Sequence, residues 1–242
     1  MILYSGDLSP YSAKVRMQIY AMGVSDDFSF ELPVVQFFSG KLKEVSPIGR
    51  IPILKTDEGL IPESEVIAEY IDELYPQQSL VGNTPMERAN IRVLSRIADT
   101  YLMDNIFLAL GQMRVPEPNQ AIIDLLTAQV VRGVTALEEY LPADGYAAGG
   151  SELTRADCSL VPALYMCDRT LPRLGISNPV LGLVKTEAYW GRIQQNEHAA
   201  RVIADMDRGL KARLDGSEQR MVAEAGTWRT KHPQEMRFCI PI

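Results

Sequence analysis

Residues 1–23 read MILYSGDLSPYSAKVRMQIYAMG, and the division of this stretch decides the fold. Met1 to Tyr4 is a short apolar run closed by the turn-forming Ser5-Gly6-Asp7, which predicts a buried strand. Ser9-Pro10 follows, with a serine able to cap a helix and a proline suited to the first helical position. Val15, Ile19 and Met22 then recur at i, i+4 and i+7, one apolar face of a helix that Gly23 ends. The chain therefore opens β-α.

Outward from this start the alternation continues. Phe28 to Val35 predicts a second strand. Ile51–Lys55 and Leu60-Ile61 flank Asp57-Glu58-Gly59, the pattern of a hairpin. Val66, Ile67, Tyr70, Ile71 and Leu74 mark one face of a helix from about Ser64 to Tyr75, which Pro76 stops. The order β-α-β, an irregular segment, then β-β-α is that of a thioredoxin-like α/β domain. Gln77 to Pro85 is polar and carries a Gly and a Pro, as a linker does. Beyond it the helical period dominates. Ile91, Leu94, Ala98, Tyr101, Asn105 and Leu108 follow one face of a long helix. Further helices are expected over about 119–140, 154–169, 179–195 and 198–214. The expected division is a thioredoxin-like domain over 1–78 and an all-helical domain over 86–242. The tail after Asp215 is polar, contains Trp228 and ends on the apolar Phe238-Cys239-Ile240-Pro241-Ile242.

Composition narrows the chemistry. The 242 residues carry a formal charge of −7, with 46% hydrophobic and 23% charged residues. That balance disfavours sequence-independent binding to phosphate backbones, so no nucleic-acid partner is expected. No run of about 18 consecutive apolar residues suggests a membrane span, and the start lacks the pattern of a signal peptide. A cytoplasmic protein is the expectation. Cys158, Cys167 and Cys239 form no C-x-x-C pair and no even framework, which suits a reducing compartment. His198 and His232 are the two histidines and have no metal-ligand spacing, so no metal site is expected. No G-x-S-x-G elbow exists for a serine hydrolase.

Three short features remain. Ser9-Pro10-Tyr11-Ser12 can be a plain helix start. The same helix end carries partial positive charge and unpaired N–H groups, and so favours a bound anion such as a thiolate. A hydroxyl donating to the sulfur would add to that, because a hydrogen bond to the charged form favours ionisation. Ser46-Pro47-Ile48-Gly49-Arg50-Ile51-Pro52 brings a proline into the start of a strand. A trans turn is the usual form there, and a cis Ile51–Pro52 bond would present the Ile51 backbone to a ligand. Pro62-Glu63-Ser64 opens the next helix. Ser64 can be an N-cap, or the helix end can take a carboxylate while Glu63 pairs with an ammonium.

Taken together, Ser9 to Arg16, Pro47 to Pro52, and Glu63-Ser64 followed by Glu69-Tyr70-Ile71 resemble the cytosolic glutathione transferase superfamily. The interval from Ser9 to Gly23 matches the one the family keeps between its catalytic residue and the end of the first helix. The opening looks like an omega-type motif with serine in place of cysteine, and serine is also the residue of the theta, delta and zeta classes. Leu153-Thr154-Arg155-Ala156-Asp157 is similar to the family's N-capping box in the helical domain, with Thr154 as cap and Leu153 as staple.

The resemblance implies the two-domain transferase fold, glutathione as cosubstrate and a homodimer. It implies Ser9 as donor to the glutathione sulfur, with Ile51 and cis Pro52 pairing with the cysteinyl backbone. Glu63 and Ser64 would hold the γ-glutamyl end, and Lys41, ahead of Lys43, would reach the glycyl carboxylate. Tyr11, Tyr101 and Asn105, with Leu108, would line a second-substrate pocket for a hydrophobic electrophile. Tyr101, Asn105 and Leu108 also fit simple packing, and Tyr4 is expected to point into the core or the domain interface. The reaction could be conjugation, ether or halide displacement, or isomerisation of an unsaturated acid. A thiol transferase would need a cysteine at the helix start, and none precedes Cys158. A non-enzymatic alternative resembles stringent starvation protein A, which keeps the fold and binds RNA polymerase.

Overall fold

The computed structural model describes residues 1–33 and 41–225. Its contacts divide the chain into two compact units: Met1–Gln78 together with the chain from Ala204 onward, and Ser79–Ile203. The sequence reading assigns everything after residue 86 to the helical half, so the return of the C-terminal segment to the first unit is the main difference in organisation.

The first unit is built on a four-stranded mixed sheet in the order β2-β1-β3-β4, with β1 Ile2–Tyr4, β2 Ser29–Glu31, β3 Ile53–Lys55 and β4 Leu60–Pro62. β2 runs parallel to β1, while β3 is antiparallel to both β1 and β4. That is the expected topology, with β2 shorter than the predicted 28–35. Val34 and Val35 of that prediction lie outside the described residues.

Helix α1, Pro10–Ala21, is buried on nearly every side from Pro10 to Tyr20. It is tied to α3, Ser64–Leu74, by an ion pair from Lys14 to Glu65 and by the Gln18 amide donating to the Ala68 carbonyl at 2.9 Å. A lysine buried this completely is tolerated because its charge is paired. Among the described residues, the irregular segment contains the short helix α2, Leu42–Val45. Leu42, Ile51 and Ile53 form a small core there, against which Tyr4, Leu32 and Val45 pack. Tyr4 is thus half-buried against the core, as expected of it.

In the second unit α4, Pro85–Arg96, starts with a reciprocal box: Thr84 Oγ1 accepts from the Glu87 N–H, and Glu87 accepts from the Thr84 N–H. The predicted long helix is interrupted. Ile97–Met103 winds as a π-helix before α5, Asp104–Met113. Gly133 of α6, Gln120–Tyr140, accounts for the fit around this segment, because a Cβ there would lie 2.7 Å from Leu102 Cδ2 and 2.8 Å from Tyr101 Cβ. α6 is also long and apolar enough to cross a membrane by length and composition, the one such helix among the described residues. It carries Asp124, Arg132 and Glu138 along its length, and it packs on α5 and the π segment.

Asp157 in α7, Arg155–Tyr165, bonds back to the Thr154 N–H at 2.9 Å. It also accepts from the Ala147 N–H and the Tyr189 hydroxyl, so the carboxylate of the box predicted for folding is fully buried and hydrogen-bonded on both oxygens. α8, Val184–Ile193, is shorter than predicted, and α9, Glu197–Leu214, agrees. Past Asp215 the polar stretch forms a further helix, α10, Ser217–Ala225, where none was expected. The tail with Trp228, Cys239 and its apolar end lies outside the described residues.

Candidate functional site

Strand register alone collects the three sequence features. Tyr4 at the end of β1 pairs with Ile53 at the start of β3, and Ile53 pairs with Pro62 at the end of β4. The segments that follow β1, precede β3 and follow β4 therefore emerge at one end of the sheet. These are Ser5–Ser9, Ile51-Pro52 and Glu63-Ser64. β2 is parallel to β1, with Glu31 beside Tyr4, so Leu32 leaves from that end too.

Ser9 caps α1, with Pro10 in the first turn. Its Oγ accepts from the Ser12 N–H at 3.3 Å, and its own N–H donates to the Gly6 carbonyl at 3.1 Å. Among the described residues no protein acceptor takes the Ser9 hydroxyl proton. The capping role thus uses the oxygen's lone pair and leaves the proton for a ligand at the positive end of the helix. A cleft of about 370 Å³ opens there, lined by Ser9, Leu8, Leu32, Ile51 and residues of α9 and α10.

The Ile51–Pro52 bond is cis. Ile51 lies in the wall of the cleft, and its side chain is buried in the Leu42–Ile53 core. Glu63 and Ser64 correct the plain-cap alternative. The residue in the cap position is Glu63, with a φ of 72°, and its side chain makes no capping bond. Ser64 is the first residue of α3, buried at 7% exposure, one place past the cap. Glu63 alone among the described non-glycine residues has a positive φ. Such a backbone costs about 1–3 kcal/mol and persists where the surroundings impose it, often at binding sites. Nothing in the residue types announced this strain.

Lys41 occupies the cap position before α2 and pairs with Glu44 at 3.6 Å. Lys41, Glu63, Ser64 and Tyr11 do not line the cleft that holds Ser9 and Ile51. Tyr11 is half-buried in the first turn of α1. Tyr101 and Asn105 belong to the helical unit, where the Asn105 amide donates to the Thr100 and Tyr101 carbonyls at 2.9 and 3.0 Å. Those carbonyls belong to the π segment, so Asn105 has an intrahelical job that the sequence pattern did not suggest. Cys158 and Cys167 are buried, and burial pushes the Cys167 thiol up to about 12, leaving it inert as a thiolate.

Sequence reasoning did not anticipate the charged groups behind the Ser9 loop. Arg16, two turns along α1 from Ser9, is 3% exposed and donates to the Ser5 hydroxyl and to the Gly6 and Asp7 carbonyls. Its Nε lies 3.3 Å from Asp205 of α9. Arg208 bridges Asp205 at 3.0 Å and Asp7 at 2.7 Å. Burial pushes the Arg16 guanidinium below its ordinary value, and the Asp205 charge opposes that. The Ser9-to-Arg16 spacing was readable; the partners, nearly 190 residues away, were not.

The family models for the N-terminal and C-terminal domains of glutathione S-transferases match residues 3–79 and 120–189. The maleylacetoacetate isomerase of Pseudomonas aeruginosa is 30% identical over 178 residues, 70% of this chain and 82% of that one. The chain belongs to the glutathione S-transferase family. A probable maleylacetoacetate isomerase of Caenorhabditis elegans is 28% identical over 181 residues, 69% of this chain and 79% of its own length. A glutathione S-transferase of Methylobacillus flagellatus, solved with glutathione bound, superposes with a TM-score of 0.73 at 20% identity, covering 83% of this chain and 98% of that one. At that identity the likeness speaks for the shared fold. The two-domain transferase fold expected from the sequence is therefore the observed one.

Proposed function

We propose that this transferase binds glutathione at the sheet end described above and that Ser9 stabilises its thiolate for attack on an electrophilic carbon. The observation that carries the reading is the Ser9 hydroxyl, held by the Ser12 N–H through its oxygen, with its proton uncommitted beside an open cleft. The serine stays protonated throughout. It donates to the sulfur, the helix end favours the negative charge, and the thiol proton leaves to solvent.

Ile51, in the wall of the cleft with Ser9, is with Pro52 the proposed backbone contact of the cysteinyl unit. The strained Glu63 and the buried start of α3 support a γ-glutamyl subsite, Glu63 for the ammonium and Ser64 for the carboxylate. Lys41 is the proposed partner of the glycyl carboxylate, and Tyr11, Tyr101 and Asn105 the proposed contacts of a hydrophobic second substrate. The division into a glutathione-binding domain over 1–78 and a helical domain over 86–242 stays part of this reading, with α9 and α10 contributing to the cleft. A cytoplasmic homodimer is proposed with it. Exposed Ile122, Leu125 and Val131 on α6 supply apolar surface for a second copy.

The relatives named as isomerases favour one reaction within the class: addition of the thiolate to the double bond of a cis-unsaturated acid to give an enolate, rotation about the resulting single bond, and re-formation of the double bond with expulsion of the thiolate. Calorimetry with glutathione tests the binding. Saturable binding in the millimolar range or tighter is expected, and no binding at millimolar glutathione contradicts the proposal. Turnover of a cis-unsaturated diketo acid, against a chlorinated aromatic, separates isomerisation from conjugation.

A further inference from the structure

The Ser9 loop is held from behind by groups that the transferase reading does not require. Residues 5–8 make one turn between β1 and α1, and three acceptors of that turn go to one side chain: the Ser5 hydroxyl and the Gly6 and Asp7 carbonyls all receive the Arg16 guanidinium. Asp205 faces the Nε of Arg16 at 3.3 Å, and the Tyr20 hydroxyl donates to the same carboxylate at 3.4 Å. Arg208 closes the ring by reaching both Asp205 and the Asp7 side chain. One residue further, Gly209 brings α9 against the loop. A Cβ there would lie 2.6 Å from the Leu8 nitrogen and 2.8 Å from Leu8 Cβ. A glycine inside a helix is disfavoured by about 1 kcal/mol relative to alanine, so its presence needs a local reason. The close approach of Leu8, the neighbour of Ser9, is that reason.

We propose that Arg16, Asp205 and Arg208 are positioning residues for Ser9: α9 clasps the Ser5–Leu8 turn and thereby aims the hydroxyl that stabilises the glutathione thiolate. The inference rests on the proposed role of Ser9. Its physical content is that the donor's direction is set by the loop, and the loop's backbone carbonyls are held by a buried guanidinium that would be unpaired without Asp205. A donor displaced by about 1 Å loses much of its effect on a developing charge.

The sign of one substitution separates positioning from plain electrostatics. Asp205→Asn removes a negative charge near the site, so a through-space effect alone lowers the pKa of bound glutathione. Loss of positioning raises it. The thiolate absorption band of bound glutathione is titrated against pH in the full-length wild type, Asp205→Asn, Gly209→Ala, Ser9→Ala and the double variants with Ser9→Ala. Calorimetry measures glutathione affinity in parallel. The expected result is a thiolate-to-thiol ratio at fixed pH reduced by roughly three- to tenfold in Asp205→Asn, a pKa rise of about 0.5–1 unit, with little change in affinity. Gly209→Ala changes no charge and is expected to shift the titration the same way. It keeps the test decisive if Asp205→Asn does not fold. On the Ser9→Ala background neither substitution is expected to raise it further; for Asp205→Asn only the downward through-space effect remains. An unchanged or lowered pKa in folded Asp205→Asn or Gly209→Ala overturns the clasp, as does a shift that persists undiminished without Ser9. A wild type that does not ionise glutathione, or a Ser9→Ala titration equal to wild type, instead overturns the reading on which the clasp rests.

Discussion

At the residue scale, two positions look ordinary in sequence and are not so in space. Ser9 is a helix cap whose oxygen is used and whose proton is not. Glu63 occupies the cap position of α3 without capping, in a backbone conformation that residues with a side chain rarely take. A strained residue at the head of a helix has a cost with no local return, and a proposed ammonium partner explains why a carboxylate is kept there. Two substitutions separate strain from recognition. Glu63→Gly relieves the φ of 72°. It is expected to leave stability unchanged or raise it by up to about 1 kcal/mol. Both Glu63→Gly and Glu63→Gln are expected to weaken glutathione by about 1.5–3 kcal/mol, the worth of a charge-assisted bond. Denaturant melts and calorimetry check the pair. The serine and the glutamate were both legible as candidates because their types suit an anion and an ammonium. The strain was not, since φ is set by how β4 hands over to α3 and no residue type marks it.

At the element scale, α1 and α7 begin where Ser9 and Thr154 mark a cap, while α3 begins on Ser64 itself, with Glu63 in the cap position. Glu87 in the first turn of α4 accepts from the Asn83 and Thr84 N–H groups, which holds its carboxyl below the ordinary value of 4.5. A carboxyl depressed on folding contributes stability above its unfolded pKa and loses it as pH falls through the lower folded pKa. Wild type is therefore expected to melt above Glu87→Gln at neutral pH, and the two are expected to converge as pH falls below 4.5 and through the depressed value. Melts across that range check it; a difference that does not change with pH contradicts it.

The π segment at Ile97–Met103 was not legible, because apolar spacing at 91, 94, 98, 101, 105 and 108 is the same in both windings to within a residue. Gly133 lies close against it, with no room for a Cβ beside Tyr101 and Leu102. Gly133→Ala is expected to cost about 1–3 kcal/mol by overpacking against Tyr101 and Leu102. An urea melt equal to wild type contradicts that assignment. α10 was missed for a simpler reason: Ser217–Ala225 is short and polar, so periodicity had little to register.

At the scale of the whole molecule, the α/β topology was readable from turns, a hairpin and one proline, since each is fixed within a few residues. The return of α9 to the first unit was not. Asp205, Arg208 and Gly209 meet Asp7, Leu8 and Arg16 across roughly 190–200 residues of chain, and no local pattern encodes such a meeting. The proposed homodimer also belongs to this scale. Sedimentation equilibrium is expected to return twice the 27.0 kDa chain mass, and Leu125→Glu on the exposed face of α6 is expected to shift the species towards the monomer. A wild type that sediments as a monomer at micromolar concentration contradicts it.

The claim that unites these scales is that the head of α1, held in place by the sheet end and its supporting loop, ionises glutathione through the Ser9 hydroxyl. Titration of the thiolate absorption band of bound glutathione, wild type against Ser9→Ala, tests it most directly. The account predicts a bound thiol ionising about 1–2 units below free glutathione in wild type and most of that shift lost in Ser9→Ala, with binding retained. A variant that binds glutathione and shows the wild-type band at every pH contradicts it.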